Sequence, residues 1–147
     1  MIDAAPGDFL LATFFVAVLV ALSWHDIRRR VIPNRIVLPA WLVVLGAQLL
    51  LHPSQWSEWV IASGTAAGGF LVLALLYPAG MGMGDVKLVG LLGAALGSAV
   101  LSGLFVGTLL AAVFAVALLV RDGRAARKAT LPYGPFLAAG AVVVLLI

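Results

Sequence analysis

From Val86 to Val120 the chain runs for 35 residues with a single charge, Lys87, close to its start. Few folds accept such a stretch. As one straight helix it would extend about 52 Å, well beyond the roughly 30 Å hydrocarbon core of a bilayer. A soluble domain has nowhere to hide that much apolar surface. The rest of the chain agrees: its 147 residues are 64% hydrophobic and only 10% charged, with a mean hydropathy of +1.19. Ordinary soluble composition lies far from this, so the solvent the sequence suits is lipid. The absence of cysteine excludes disulfides, thiolate metal sites and a cysteine nucleophile together. The net charge of +3 does not point to nucleic acid, because in a lipid-embedded chain the placement of charge matters more than its sum.

Apolar runs at 9–24, 36–51 and 59–77 precede the long one, and a last run covers 131–147. Gly97-Ser98 offers a turn near the middle of the long run, dividing it into 86–96 and 99–120. Six segments result, and the basic residues test that count. Arg28, Arg29, Arg30 and Arg35 fall between segments 1 and 2, Lys87 between 3 and 4, and Arg121, Arg124, Arg127 and Lys128 between 5 and 6. With six crossings all nine share one face, which the positive-inside rule makes cytoplasmic. Asp3, Asp8, His52, Glu58 and both termini then lie outside. A single crossing of 86–120 would split the basic loops between faces. The first run follows Asp3 and Asp8 rather than a basic segment, so it reads as a retained span and not as a secretory signal. The expectation is an all-α integral membrane bundle of about six transmembrane helices, one domain over residues 1–147.

Three acids fall on the cytoplasmic face: Asp26, Asp85 and Asp122. Asp122 sits in an Asp-Gly turn among arginines and reads as a solvated loop acid. Asp26 closes the first span in "SWHDIRRRVIPN". Its structural reading is a local ion pair with Arg29 and Arg30, three and four residues on. Pro33 and Asn34 then make a tight turn, Asn34 serving as N-cap of span 2 and Pro39 kinking that span or shifting its start. Asp85, in "YPAGMGMGDVKLVG", has no comparable partner, since Lys87 two residues on faces elsewhere on a helix. Its structural reading is an N-cap for span 4 behind a glycine loop. Its functional reading is stronger, because an acid at membrane depth is costly and marks a site by default. The glycines at 80, 82 and 84 permit close backbone approach and keep side-chain bulk away from it. Spans 1 and 3 both end at this face, so Asp26 and Asp85 can meet at one depth. Two carboxylates in one partly dehydrated site share a proton. That is the requirement of aspartic-peptidase chemistry, and neither a G-x-S-x-G elbow nor a metal-binding cluster competes with it.

These residues resemble a known family, the prepilin peptidases (type IV leader peptidases), bacterial members of the GxGD aspartic peptidases. The matching elements are "DIRRRVIPN" (26–34), "GMGDVKL" (82–88) with Gly93 and Gly97 following, and "LPYGPFL" (131–137). Three motifs in order cover most of the chain. The resemblance implies Asp26 and Asp85 as the catalytic dyad, Gly82 and Gly84 as glycines shaping the site, and no cofactor or metal. It also implies an inner-membrane enzyme of bacteria that cuts the short basic leader of prepilins or pseudopilins after a glycine, at the cytoplasmic face. Larger members carry an N-terminal cytoplasmic region with paired cysteines and methylate the new pilin N-terminus. This chain lacks cysteine and such a region, so peptidase activity without methyl transfer is expected, as in the short members serving Flp-type (Tad) pili.

Arg28, Arg29, Arg30 and Lys87 carry two readings each. The arginines meet anionic lipid headgroups, or one of them recognises an acid early in the mature pilin. Lys87 snorkels to the interface, or contacts substrate. His25 has no role, and Pro132, Gly134 and Pro135 shape the start of span 6. The spacing of Gly93/Gly97 and Gly103/Gly107 predicts close helix packing. Two rival functions use the same acids: a proton-coupled transporter, disfavoured by their position at one edge and by the lack of an inverted repeat, and a noncatalytic membrane adaptor, which leaves Asp85 and its glycines unexplained.

Overall fold

A computed structural model of the chain describes residues 6–128 and 131–147. Asp3 lies outside the described residues, as do the side chains of Arg127 and Lys128. Six helices follow one another: α1 (Pro6–Arg29), α2 (Asn34–Leu51), α3 (Trp56–Leu76), α4 (Met83–Leu96), α5 (Val100–Asp122) and α6 (Gly134–Leu146). Among the described residues there is no strand. The chain is an all-helical membrane protein.

Each expected apolar run lies on one helix, but the helix ends move. α1 runs five residues past the first apolar run and takes Asp26 into its last turns, while α4 begins at Met83 and takes Asp85 into its first turn. Hydropathy stops at the first charge, whereas backbone hydrogen bonding continues until geometry stops it. Gly97 breaks the long run as expected. It adopts φ 56, a conformation that side chains resist, and a 3-10 turn over Gly97–Ala99 separates α4 from α5.

Two local expectations are corrected. The residue capping α2 is Pro33, in an extended conformation that its ring pre-sets, with the Ile36 and Val37 N–H groups donating to its carbonyl. Asn34 is already helical, and its side chain instead accepts a hydrogen bond from Lys87 Nζ at 2.7 Å. α2 therefore starts five residues before Pro39, which does not shift it. Asp85 is likewise not the cap of α4: Gly82 holds that position and Asp85 is the third helical residue.

α4 is the inner helix. At 14 residues it spans about 21 Å, too short to match a bilayer by itself. It is apolar around its circumference, with Val86, Leu88, Val89, Leu91, Leu92 and Ala94 all buried. Packed against α2, α3, α5 and α6, it touches protein where the outer helices face lipid, so bilayer thickness does not constrain it. Leu42, Leu75, Leu101 and Val120 point outward from the outer helices. α1 packs against α2 and α6, and α5 against α6.

Glycine sets the closest approaches. A methyl group on Gly93 would stand 2.7 Å from the Ala62 carbonyl oxygen of α3, and one on Gly107 would stand 2.8 Å from the Phe136 carbonyl oxygen of α6. Both expected small-residue packings are thus present, although Gly97 serves as the turn. A polar thread ties the inner helix laterally: Trp41 Nε1 donates to Ser63 Oγ at 2.7 Å, and Ser63 donates to the Gly90 carbonyl at 2.9 Å.

Candidate active site

The last turns of α1 put Asp26 on the same side as Phe15, Leu19 and Leu22, the residues α1 buries. Asp26 is consequently only 7% exposed. Its Oδ2 accepts a hydrogen bond from the Gly134 N–H at 3.0 Å. Gly134 opens α6, and the first amides of any helix lack intrahelical acceptors. The preceding Tyr133 provides no side-chain cap. Asp26 therefore caps α6 from another helix, and the positive end of that helix faces the carboxylate. A methyl group on Gly134 would lie 2.7 Å from Asp26 Oδ2, so only glycine admits this approach.

Asp85 reaches the same end of the bundle through α4. Its N–H donates to the Gly82 carbonyl at 3.1 Å, closing the first turn of the helix. Asp26 and Asp85 thus sit on the last turns of α1 and the first turn of α4, at the same end of the bundle. What holds the two helix ends together is the turn after α1. Ile32 is buried, and its Cβ lies 2.9 Å from where a methyl group on Gly84 would stand. Gly84 thus lets the 30–33 turn seat directly on the start of α4. Gly82 acts differently. A methyl group there would meet nothing closer than 3.9 Å, but the nearest atom in its path is Asp85 Oδ2. A longer side chain at 82 would grow toward that carboxylate.

The turn itself is strained. Arg30 has φ 53, inside the left-handed region that favours glycine, while its N–H donates to the Asp26 carbonyl at 2.8 Å. This left-handed residue ends α1 just beyond the acid, at a cost of about 1–2 kcal/mol for an L-residue. Beside Gly134, the side chains of Leu19, Leu22, Ile32, Leu88 and Ala138, with Ser23, border a narrow gap.

The other singled-out residues are dispersed around this end. Arg28, Arg29 and Arg30 are exposed, and the Arg28 guanidinium lies 4.1 Å from the centre of the Trp24 ring. Lys87, held by Asn34, ties the start of α4 to the start of α2. His25 Nδ1 pairs with the Ala21 carbonyl oxygen one turn back. Asp122 is exposed with its Oδ1 3.6 Å from Arg121 Nε, as a solvated acid should be. Sequence reasoning missed the role of Gly134, which it treated only as part of the start of α6. The available signal was a glycine placed immediately before Pro135 at a helix start, where no side chain was needed for the turn itself.

The model of the type IV leader peptidase family matches residues 13–120. The prepilin leader peptidase/N-methyltransferase of Bacillus subtilis (strain 168) is 34% identical over 135 residues, covering 90% of this chain and 53% of that protein. Proteins of the same name from Aeromonas salmonicida (strain A449) and Xanthomonas campestris pv. campestris are 34% and 31% identical, covering 96% and 94% of this chain and 50% and 48% of theirs. The chain spans about half the length of the curated relatives it matches. No solved structure matches it.

Proposed function

This chain belongs to the type IV leader peptidase family, and from that premise we propose that it is a membrane aspartic endopeptidase acting on prepilins or pseudopilins, with Asp26 and Asp85 as its catalytic pair. The observation that carries the reading is the placement of these two acids, 59 positions apart in sequence, at one end of the bundle, on the last turns of α1 and the first turn of α4, with the turn after α1 seated on Gly84.

The chemistry follows from sharing one proton between two carboxylates. The ionised carboxylate takes a proton from a water molecule as its oxygen attacks the scissile carbonyl carbon. The protonated partner gives its proton to the carbonyl oxygen, forming a neutral tetrahedral intermediate. Collapse breaks the C–N bond, a proton passes to the leaving nitrogen, and the products are a carboxylic acid and a free amine. The Gly134 N–H keeps the Asp26 oxygen oriented, and Gly82 leaves the approach to Asp85 open to an extended peptide. The substrate class, an Flp-type prepilin cut after a glycine, comes from the family resemblance and the helix ends rich in arginine around the site. Those arginines and Lys87 suit a membrane boundary facing the cytoplasm, with six crossings and both termini outside. The relatives are named for methyl transfer as well as for leader cleavage.

The test is co-expression with an Flp-type prepilin and determination of the product N-terminus by mass spectrometry. A leader released after glycine, with no added methyl mass, is the expected result. Well-folded protein that leaves several such prepilins intact would rule the reading out.

A further inference from the structure

The start of α6 is held from two sides. On one side the Gly134 N–H donates to Asp26 Oδ2 of α1. On the other, the Tyr133 hydroxyl and Thr108 Oγ1 of α5 share a hydrogen bond of 2.7 Å, in which either oxygen can be the donor. Thr108 lies near the middle of α5, an apolar helix of 23 residues, where lipid offers a hydroxyl no partner. The two hydroxyls therefore satisfy each other, and the residue just before Gly134 is fastened to a neighbouring helix.

The backbone between the two contacts is short and stiff. Tyr133 and Gly134 are joined by one planar peptide group, so the Tyr133 carbonyl and the Gly134 N–H turn together. That carbonyl accepts from the Phe136 and Leu137 N–H groups, at 3.2 Å each. Pro135 has no N–H to offer. Among the first amides of α6, the one left to bond outside the helix is thus that of Gly134, and it goes to Asp26. Pro132 and Pro135 flank this peptide with rings that fix φ, leaving few torsions to absorb a displacement of the Tyr133 ring before it reaches the peptide plane. Farther along, Phe136 packs on Phe114 of α5 with ring centres 5.3 Å apart, so α6 keeps its place against α5 without the Tyr133 hydroxyl.

We propose that Tyr133, braced by Thr108, is a positioning residue for Asp26: it sets the plane of the peptide whose N–H holds the carboxylate oxygen. The proposal rests on the peptidase reading above and adds to it two residues that act through Gly134. Without the Tyr133 hydroxyl the peptide can rotate, its bond to Oδ2 lengthens, and Asp26 leaves the orientation in which it meets water and the scissile carbonyl. Thr108 is not stranded by that loss, because a helical threonine can turn its hydroxyl to the carbonyl one turn back, here that of Leu104. The fold survives the change while the site loosens.

The experiment compares prepilin cleavage by the wild-type chain, Tyr133→Phe, Thr108→Val, their double variant and Thr108→Ser, with kcat, KM and the unfolding temperature in detergent measured for each. Tyr133→Phe and Thr108→Val are each expected to lower kcat by about tenfold, as a small misplacement of a reacting group does, with KM and unfolding temperature nearly unchanged. The double variant should fall no further than either single one, since both remove the same bond. Thr108→Ser keeps the hydroxyl and should keep the wild-type rate. Glycine-selective amide NMR adds a readout independent of turnover. The Gly134 signal, identified by its loss in Gly134→Ala, should move in Tyr133→Phe and stay in place in Thr108→Ser. Should Thr108→Val fail to fold, Tyr133→Phe and the amide signal carry the test. Normal kcat in Tyr133→Phe, or losses that multiply in the double variant, overturn the proposal and leave the peptidase reading intact. So does a raised KM at unchanged kcat, which would put the tyrosine against the substrate. A wild type that cleaves no prepilin overturns the peptidase reading, and this proposal with it.

Discussion

Asp26 takes its hydrogen bond from an amide 108 residues downstream, and that contact separates two kinds of glycine in this protein. Gly134 touches the carboxylate itself, whereas Gly140 sits against the Gly103 carbonyl and the Gly107 backbone of α5. Alanine suits a helix better than glycine by about 1 kcal/mol, so Gly134→Ala costs little backbone stability. The added methyl must instead push Asp26 Oδ2 out of place. We expect Gly134→Ala to lower the cleavage rate at least tenfold with thermal unfolding in detergent nearly unchanged, a shift of the reacting group of the size that costs such factors. Gly140→Ala should show the reverse, a lowered unfolding temperature with the remaining folded enzyme fully active. If Gly134→Ala cleaves normally, the amide does not position Asp26. At position 82 the path is open up to Asp85 Oδ2, so Gly82→Ala should be tolerated and Gly82→Leu should block peptide approach, raising KM more than it lowers kcat.

Among the elements, α4 is the one on which the rest depends, because four other helices pack on it and its first turn carries Asp85. Gly93→Ala would place a methyl group 2.7 Å from both the Ala62 carbonyl oxygen and Ser63 Cα, atoms of the α3 backbone that cannot rotate away. We expect a loss of about 1–3 kcal/mol, as for other overpacked cores, read as a lower unfolding temperature with cleavage intact at low temperature. The existence of six helices was legible in the sequence because apolar runs and the Gly97-Ser98 break are strong, local signals. Their ends were not. Asn34 looked like a cap, but the extended proline before it needed none, and Lys87 took its side chain. Asp85 also looked like a cap, until the glycines let α4 begin three residues earlier. The apposition of Asp26 with Gly134 was hidden for a different reason. It depends on α1 lying beside α6, a long-range pairing that no local pattern encodes.

Over the whole molecule the two ends differ in kind. One gathers the arginines, Lys87 and the paired acids; the other gathers Asp8, His52 and Glu58 around a cavity. The proposed orientation puts the first in the cytoplasm, and a chain without cysteine makes that easy to test. With single cysteines at two exposed positions, Ser54→Cys should react with a membrane-impermeant maleimide in intact cells, and Ala125→Cys only after permeabilisation. The opposite pattern would reverse the bundle and move the acids to the wrong face for a leader that begins in the cytoplasm. The central claim is that Asp26 and Asp85 work as one unit, and single-turnover cleavage of a prepilin by Asp26→Asn, Asp85→Asn and the double variant, at matched membrane levels, tests it most directly. Each single substitution should reduce the rate by about 100-fold or more, and the double should fall no further, because removing either member already disables the pair. Losses that multiply in the double variant, or cleavage that survives either single substitution, would contradict the account.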